Sequence, residues 1–255
     1  MNRTLVVSLA LATATGCLHT PPIHPTAIQS NTDCARKLEA RDLESAEVFC
    51  DRALEFSPQY PEAWVNKGII SYYRGKKAEA KEQFIKAVRL NNECAQAYND
   101  LGILAMEEGK HGEAEERFRR ALQVNPDYPE ARYNLALDYA AAHQLERARK
   151  ELKTLTTVRP NLADPWNFLG VVRLEQGAPS EAVEHFRQAL LLEPRRASYW
   201  TGLGVAYARI YRYDDAEYAF QSCLDAAPKD LVCQTNLDLL KARSQLPDPR
   251  INPKP

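Results

Sequence analysis

An excess of charge of either sign is missing from this chain. Its 33 Lys and Arg stand against 34 Asp and Glu, a formal net charge of −1. A nucleic-acid partner needs a basic face, and no such excess exists, so nucleic acid is excluded as the ligand. Glycine is scarce, ten residues in 255, and forms no loop of the kind that cradles phosphate; a nucleophile elbow is absent too. The five histidines, His19, His24, His111, His143 and His185, are scattered and share no recurring position. With no close Cys/His pairing there is no metal-ligand spacing. Carboxylate pairs such as Glu107-Glu108 and Glu115-Glu116 read as solvated helix faces. No catalytic residue, cofactor or small-molecule substrate is implied, and the expected activity is non-enzymatic binding. Beyond residue 16 no apolar run approaches the roughly 18 residues a membrane-spanning helix requires.

What the chain does have is one short frame, written repeatedly. Its clearest copy is Ala114, Phe118, Ala121 and Pro126, preceded by Tyr98, Leu101 and Gly102. The frame recurs every 34 residues, in units beginning near 27, 61, 95, 129, 163 and 197. Position 4 of the unit carries Trp64, Tyr98, Trp166 and Trp200, and position 8 carries Gly68, Gly102, Ala136, Gly170 and Gly204. Position 20 is Ala in all six units; position 24 is Phe84, Phe118, Leu152, Phe186 and Phe220; position 32 is Pro58, Pro126, Pro160, Pro194 and Pro228. Small residues at 8 and 20 let two helices approach, and large ones at 4 and 24 fill the space between them. The aromatics are therefore expected in the core. Gly75, Gly109 and Gly177 fall where a left-handed cap ends the first helix, and the proline stops the second.

A 34-residue helix–turn–helix period is that of the tetratricopeptide repeat. The resemblance implies an all-α, right-handed superhelical solenoid of six repeats over residues 28–230. Residues 231–244 form one more amphipathic helix, expected to cap the open end with Leu231, Leu237 and Leu240 while Lys241 and Arg243 face water. The Pro-rich tail 245–255 is expected to be flexible.

The start of the chain reads as an address. Arg3, the apolar stretch from Leu5 to Ala12, and the small residues Ala14, Thr15 and Gly16 have the layout of a signal peptide over residues 1–16. With Cys17 following, the segment resembles a bacterial lipoprotein signal; an ordinary cleavable signal followed by a chance cysteine is the alternative. The resemblance implies lipidation of Cys17 (palmitate) and, with Leu18 rather than Asp next, an outer-membrane, periplasm-facing location in a Gram-negative bacterium. Acyl chains anchor by about 0.8 kcal/mol per buried CH2. Residues 17–27, with Pro21, Pro22 and Pro25, read as a tether, or else as an irregular segment packed on the first helix.

Five further cysteines suit an exported protein. Cys34 and Cys50, 16 apart, lie on the two helices of repeat 1; Cys223 and Cys233, 10 apart, lie on the last helix of repeat 6 and the capping helix. Each pair can bridge neighbouring helices at a fraying end, or else consist of small buried residues. Cys94 is left over in an inter-repeat turn.

In tetratricopeptide proteins positions 5, 9 and 12 of the first helices line a concave groove. The resemblance therefore implies a partner groove built from Val65, Asn99, Tyr133, Asn167 and Thr201 at position 5; Ile69, Ile103, Leu137, Val171 and Val205 at position 9; and Tyr72, Met106 and Leu174 at position 12. Such an apolar strip suits a peptide segment, although position 9 also serves packing between repeats. A lipobox-like cysteine, a tether and six repeats together resemble the type IV pilus pilotin lipoproteins, the Tgl, PilF and PilW group. That resemblance implies a scaffold for assembly or localisation of the outer-membrane secretin, supporting twitching or social gliding motility, with secretin subunits as partners. The alternative is a periplasmic lipoprotein adaptor for peptidoglycan enzymes or polysaccharide export.

Overall fold

The computed structural model describes residues 22–244, with side chains to residue 242. Among the described residues there are thirteen α-helices and no strand. They are α1 (Pro25–Glu39), α2 (Leu43–Phe56), α3 (Pro61–Tyr73), α4 (Lys77–Leu90), α5 (Ala95–Glu107), α6 (His111–Val124), α7 (Pro129–Ala141), α8 (Leu145–Val158), α9 (Ala163–Glu175), α10 (Pro179–Leu192), α11 (Ala197–Arg209), α12 (Tyr213–Ala226) and α13 (Leu231–Ser244). Six helix–turn–helix hairpins and a thirteenth helix make the expected all-α repeat solenoid. The chain divides into two compact units, residues 1–138 and 139–255. In the first, α1 packs on α2, α3 on α4 and α5 on α6, with α2 against α3 and α4 against α5. In the second, α9 packs on α10, α11 on α12 and α13 on α12, with α8 against α9 and α10 against α11.

The close approach inside a hairpin has a steric cause. A Cβ added to Gly102 would lie 2.6 Å from Cε1 of Phe118, so only glycine admits the ring. Phe118 is fully buried and fills the space that the missing Cβ leaves.

Each first helix ends in the same turn. After α3, the Gly75 N–H donates to the Tyr72 carbonyl and the Lys76 N–H to the Ser71 carbonyl, both at 2.9 Å, with Gly75 at φ 76. This is the Schellman arrangement, and it needs one left-handed residue. Gly109 and Gly177 supply it as expected, with φ 71 and 75. In repeats 1, 4 and 6 the same place is held by Arg41, His143 and Tyr211, with φ 60, 58 and 63. These three non-glycine turns were not anticipated from the sequence, where only the glycines marked the position.

Positions 4 and 32 turn out to be directly bonded. The indole Nε1 of Trp64 donates to the Pro58 carbonyl at 2.9 Å, Trp166 to that of Pro160 at 2.9 Å, and Trp200 to that of Pro194 at 2.8 Å. In repeat 4 Arg132 takes over, its Nη2 donating to the Pro126 carbonyl at 3.0 Å. Each bond satisfies a carbonyl in the turn that follows the preceding second helix. The three tryptophans are accordingly half-buried, packed against the core rather than enclosed in it, whereas Tyr98 at position 4 and the phenylalanines at position 24 are buried as expected.

One boundary and one capping residue differ from expectation. The helical body begins at Pro25, inside the expected tether of 17–27, because His24 caps α1 through its Nδ1 (3.2 Å from the Thr26 N–H) and stacks on Phe56 at 5.1 Å. Ile23 packs against the cluster of Ala27, Ala53 and Tyr60, so this stretch is bound to repeat 1. At the other end Leu237 and Leu240 of α13 are buried, but Leu231 is 79% exposed; Cys233, fully buried, fills the inward place. Cys17, the signal segment 1–16 and the tail 245–255 lie outside the described residues.

Both cysteine pairs are disulfide-bonded in the structure. Cys34 and Cys50 join α1 to α2 with Cα atoms 5.3 Å apart, and Cys223 and Cys233 join α12 to α13 at 6.2 Å. Cys94 is free and buried.

Candidate functional site: the first-helix face

The strip of positions 5, 9 and 12 is not uniform. In the first unit Val65, Ile69, Asn99 and Ile103 are all buried, at 0, 3, 1 and 3% exposure. Val65 and Ile69 belong to the core cluster that contains Leu101, Leu104 and Phe84. For these residues of repeats 2 and 3 the packing role wins, and they present no surface. Tyr72, Met106, Tyr133 and Leu137 are half-buried and keep part of their surface exposed. In the second unit Asn167, Val171, Thr201 and Val205 are half-buried, with Val171 and Val205 resting on the core, while Leu174 is buried. Thr201 is diverted: its Oγ1 lies 3.3 Å from Cys223 Sγ and 3.0 Å from Cys233 Sγ, against the disulfide.

Side-chain bonds between successive first helices follow a spacing of 35, one residue more than the repeat. Asn66 Nδ2 donates to Asn31 Oδ1 at 2.8 Å and Asn134 Nδ2 to Asn99 Oδ1 at 3.0 Å. The Tyr72 hydroxyl donates to Glu107. In the second unit the Tyr199 hydroxyl donates to Asp164 Oδ1 at 2.6 Å, and Arg209 Nη1 to the Leu174 carbonyl at 3.2 Å. Adjacent first helices are thus offset so that residue n faces n+35. These polar links were missed because each pairs position 5 with 6, 12 with 13 or 2 with 3. A search for polar residues 35 apart would have found them.

Burial of this polar layer has electrostatic consequences. Asp100 is 4% exposed, its Oδ1 accepts from Asn99 Nδ2 at 3.2 Å, and its Oδ2 has no hydrogen-bond partner. Desolvation pushes its carboxyl up to about 7, with the Asn99 amide pulling the other way. Asn66 is fully buried, and its Oδ1 likewise has no hydrogen-bond donor within reach. Asp138, buried beside His111 Nδ1 at 2.8 Å, is also raised by burial, against the pull of the imidazole. Burial raises the Tyr72 phenol strongly, and the neighbouring Glu107 adds to it.

The titratable groups that might suggest chemistry have structural partners. His111 bonds Asp138, His24 caps α1, and His185 lies 5.9 Å from the Trp166 ring. Cys223, Asp230 and Cys233 come together at the start of α13, but the sulfurs are joined and Asp230 Oδ1 accepts the N–H groups of Val232 and Cys233 at 2.9 and 3.0 Å. That is a helix cap.

Two sequence profiles of the tetratricopeptide repeat match the chain, one over residues 65–129 and 169–230 and the other over 105–170. Among solved structures, PilW, described as a widely conserved type IV pilus biogenesis factor, superposes with a TM-score of 0.76 at 19% identity, covering 84% of this chain and 99% of that one. PilF of Pseudomonas aeruginosa gives 0.74 at 16% identity, covering 86% and 97%. Among curated proteins, the general transcriptional corepressor ssn6 of Schizosaccharomyces pombe is 33% identical over 87 residues, which is 33% of this chain and 8% of that protein. The chain spans less than a tenth of the length of the curated relatives it matches. The profile matches together run from residue 65 to residue 230, more than half of the chain, and the chain belongs to the tetratricopeptide-repeat family.

Proposed function

We propose that this chain is a non-enzymatic protein-binding scaffold, lipid-anchored through Cys17 at the periplasmic side of the outer membrane, that acts as a pilotin for the type IV pilus secretin. The observation that carries the reading is extent. The likeness to PilW and PilF takes in nearly the whole of those chains and most of this one, with TM-scores of 0.76 and 0.74. The lipobox-like Gly16-Cys17 supports the same reading, since such a scaffold must be held at the membrane. Tethering raises the local concentration of captured subunits beside the bilayer without any new contact. Partners engage the exposed part of the first-helix face, Tyr133 and Leu137 in the first unit and Asn167, Val171 and Val205 in the second.

A deletion strain tests the role. Loss of pili, with the secretin recovered as monomer, is the expected outcome. Intact pili with an altered cell wall or capsule would refute the pilotin role and favour the adaptor for peptidoglycan enzymes or polysaccharide export. For the anchor, Cys17→Ala is expected to release the chain from membranes; retention on the membrane sinks the lipoprotein assignment.

A further inference from the structure

The terminal helix α13 is in phase with the repeats. Residue 231 lies 34 beyond residue 197, so α13 is the first helix of a seventh unit that has no second helix. Its three faces can be compared with those of a complete repeat. Positions 3, 7 and 10 are Cys233, Leu237 and Leu240, all buried against the preceding repeat. Positions 4, 8 and 11, which a second helix would cover, are Gln234, Asp238 and Lys241, all exposed. Here the Gln234 amide donates to Asp238 Oδ1 at 3.0 Å, so that side is closed with polar groups, as a solenoid end requires. Positions 2 and 9 are Val232 and Leu239, and they are apolar yet 60% and 63% exposed. A helix that served only as a cap would be polar there also. Leu239 instead continues the apolar series at position 9, directly after Val205.

A cleft of about 390 Å3 opens at this point, lined by Val205, Ala208, Arg209, Tyr211, Phe220 and Leu239 among others. That volume lies within the roughly 300–1,000 Å3 usual for small binding pockets. Tyr211 holds φ 63, a conformation that costs a bulky residue about 1 kcal/mol or more, and its ring stands edge-on to Tyr213 at 6.3 Å. Arg209 is the one charged residue lining the cleft; one of its N–H groups goes to the Leu174 carbonyl, and a guanidinium carries five donors.

We propose that α11 and α13 form a docking pocket for a partner segment in which an apolar side chain is followed closely by a carboxylate. The side chain seats on Val205, Ala208 and Leu239, and the carboxylate pairs with Arg209. The proposal rests on the reading of the chain as a protein-binding scaffold and names the chemistry of what it binds.

The test uses a phage-displayed random peptide library selected on the full chain, with affinities of the recovered peptides then measured by fluorescence anisotropy. Recovered peptides are expected to share an apolar–acidic pair. Leu239→Asp and Arg209→Glu should each weaken them at least tenfold, and a Lys in place of the peptide carboxylate should restore binding to Arg209→Glu. Leu239 is 63% exposed, so unchanged helical circular dichroism and melting are expected for Leu239→Asp; Arg209→Glu also gives up its bond to the Leu174 carbonyl, and the restored binding of the Lys-bearing peptide separates lost charge pairing from lost structure in that variant. Peptides that bind Leu239→Asp normally but lose affinity for Leu137→Asp or Val171→Asp would overturn the pocket and leave the scaffold reading standing. Peptides indifferent to all four substitutions, or no enrichment at all, would overturn both.

Discussion

Asp100 offers the cleanest measurement of what the buried polar layer costs. The carboxylate sits on α5 with one oxygen bonded to Asn99 and the other without a partner, in a site 4% exposed. Its pKa rises from the ordinary 3.8 to about 7 in the fold. The folded state therefore holds a proton that the unfolded chain has released across that interval, and stability falls as pH rises from about 4 to about 7. At about 1.36 kcal/mol per pH decade the full effect is on the order of 4 kcal/mol. Asp100→Asn keeps the shape, keeps an acceptor for Asn99 and removes the charge. Thermal melts of wild type and variant, compared at pH 4 and pH 8, isolate this group because every other titration is common to both. The variant should match wild type within about 1 kcal/mol at pH 4 and exceed it by a few kcal/mol at pH 8. In a chain of this size about 1 kcal/mol corresponds to roughly 2–4 °C, so the gain at pH 8 is on the order of 10 °C. Equal differences at the two pH values, or a loss at pH 8, would refute the assignment of Asp100 as an uncompensated buried acid.

Gly102→Ala should destabilise by about 1–3 kcal/mol in urea unfolding, because the new Cβ meets a Phe118 ring that has no room to turn. Reducing or deleting the Cys34–Cys50 bridge, which closes 16 residues, should cost about 3 kcal/mol and raise amide exchange in α1 and α2 ahead of the other helices; uniform exchange would count against an end-stabilising role. His143→Gly should gain about 0.5–1 kcal/mol by relieving the left-handed turn, whereas Arg41→Gly should gain less, since it also removes the guanidinium lying 4.2 Å over the Tyr73 ring.

The period and the helix count were legible because each rests on positions that must be filled in nearly one way. Gly102 is readable because Phe118 leaves no alternative, and Gly75 because a left-handed turn prefers no Cβ. Where several residues can do one job, legibility failed. The left-handed turn also accepts Arg41, His143 and Tyr211, at a modest strain that the rest of the fold sustains. Position 4 carries an N–H for the preceding proline carbonyl, and Trp166 and Arg132 both supply it, so the sequence shows an aromatic and a cation with no visible common cause. The groove was half legible. A 34-residue alignment places Ile69, Ile103, Leu137, Val171 and Val205 on one line, yet it cannot tell that the first two are sealed into the core while the others keep a surface.

The offset of 35 explains why the repeat frame is silent about the partner. Positions 8, 20 and 24 meet within each hairpin, so their requirements are nearly the same in every unit and they recur with period 34. The links between hairpins run from residue n to n+35, and each involves two different positions of the frame. Asn31 with Asn66 and Asn99 with Asn134 use positions 5 and 6, but in repeat 3 position 6 is Asp100, with one oxygen left unpaired. Variation is therefore permitted at these interfaces in a way it is not inside a hairpin. The first-helix face is built from these variable positions, and so is the cleft at Leu239. Substitutions there change what is bound while the solenoid persists, whereas substitutions in the frame must act through stability. Leu239→Asp and Gly102→Ala should separate the two effects: the first, at a side chain 63% exposed, should weaken partner capture with little change in melting temperature, and the second should lower the melting temperature and capture together.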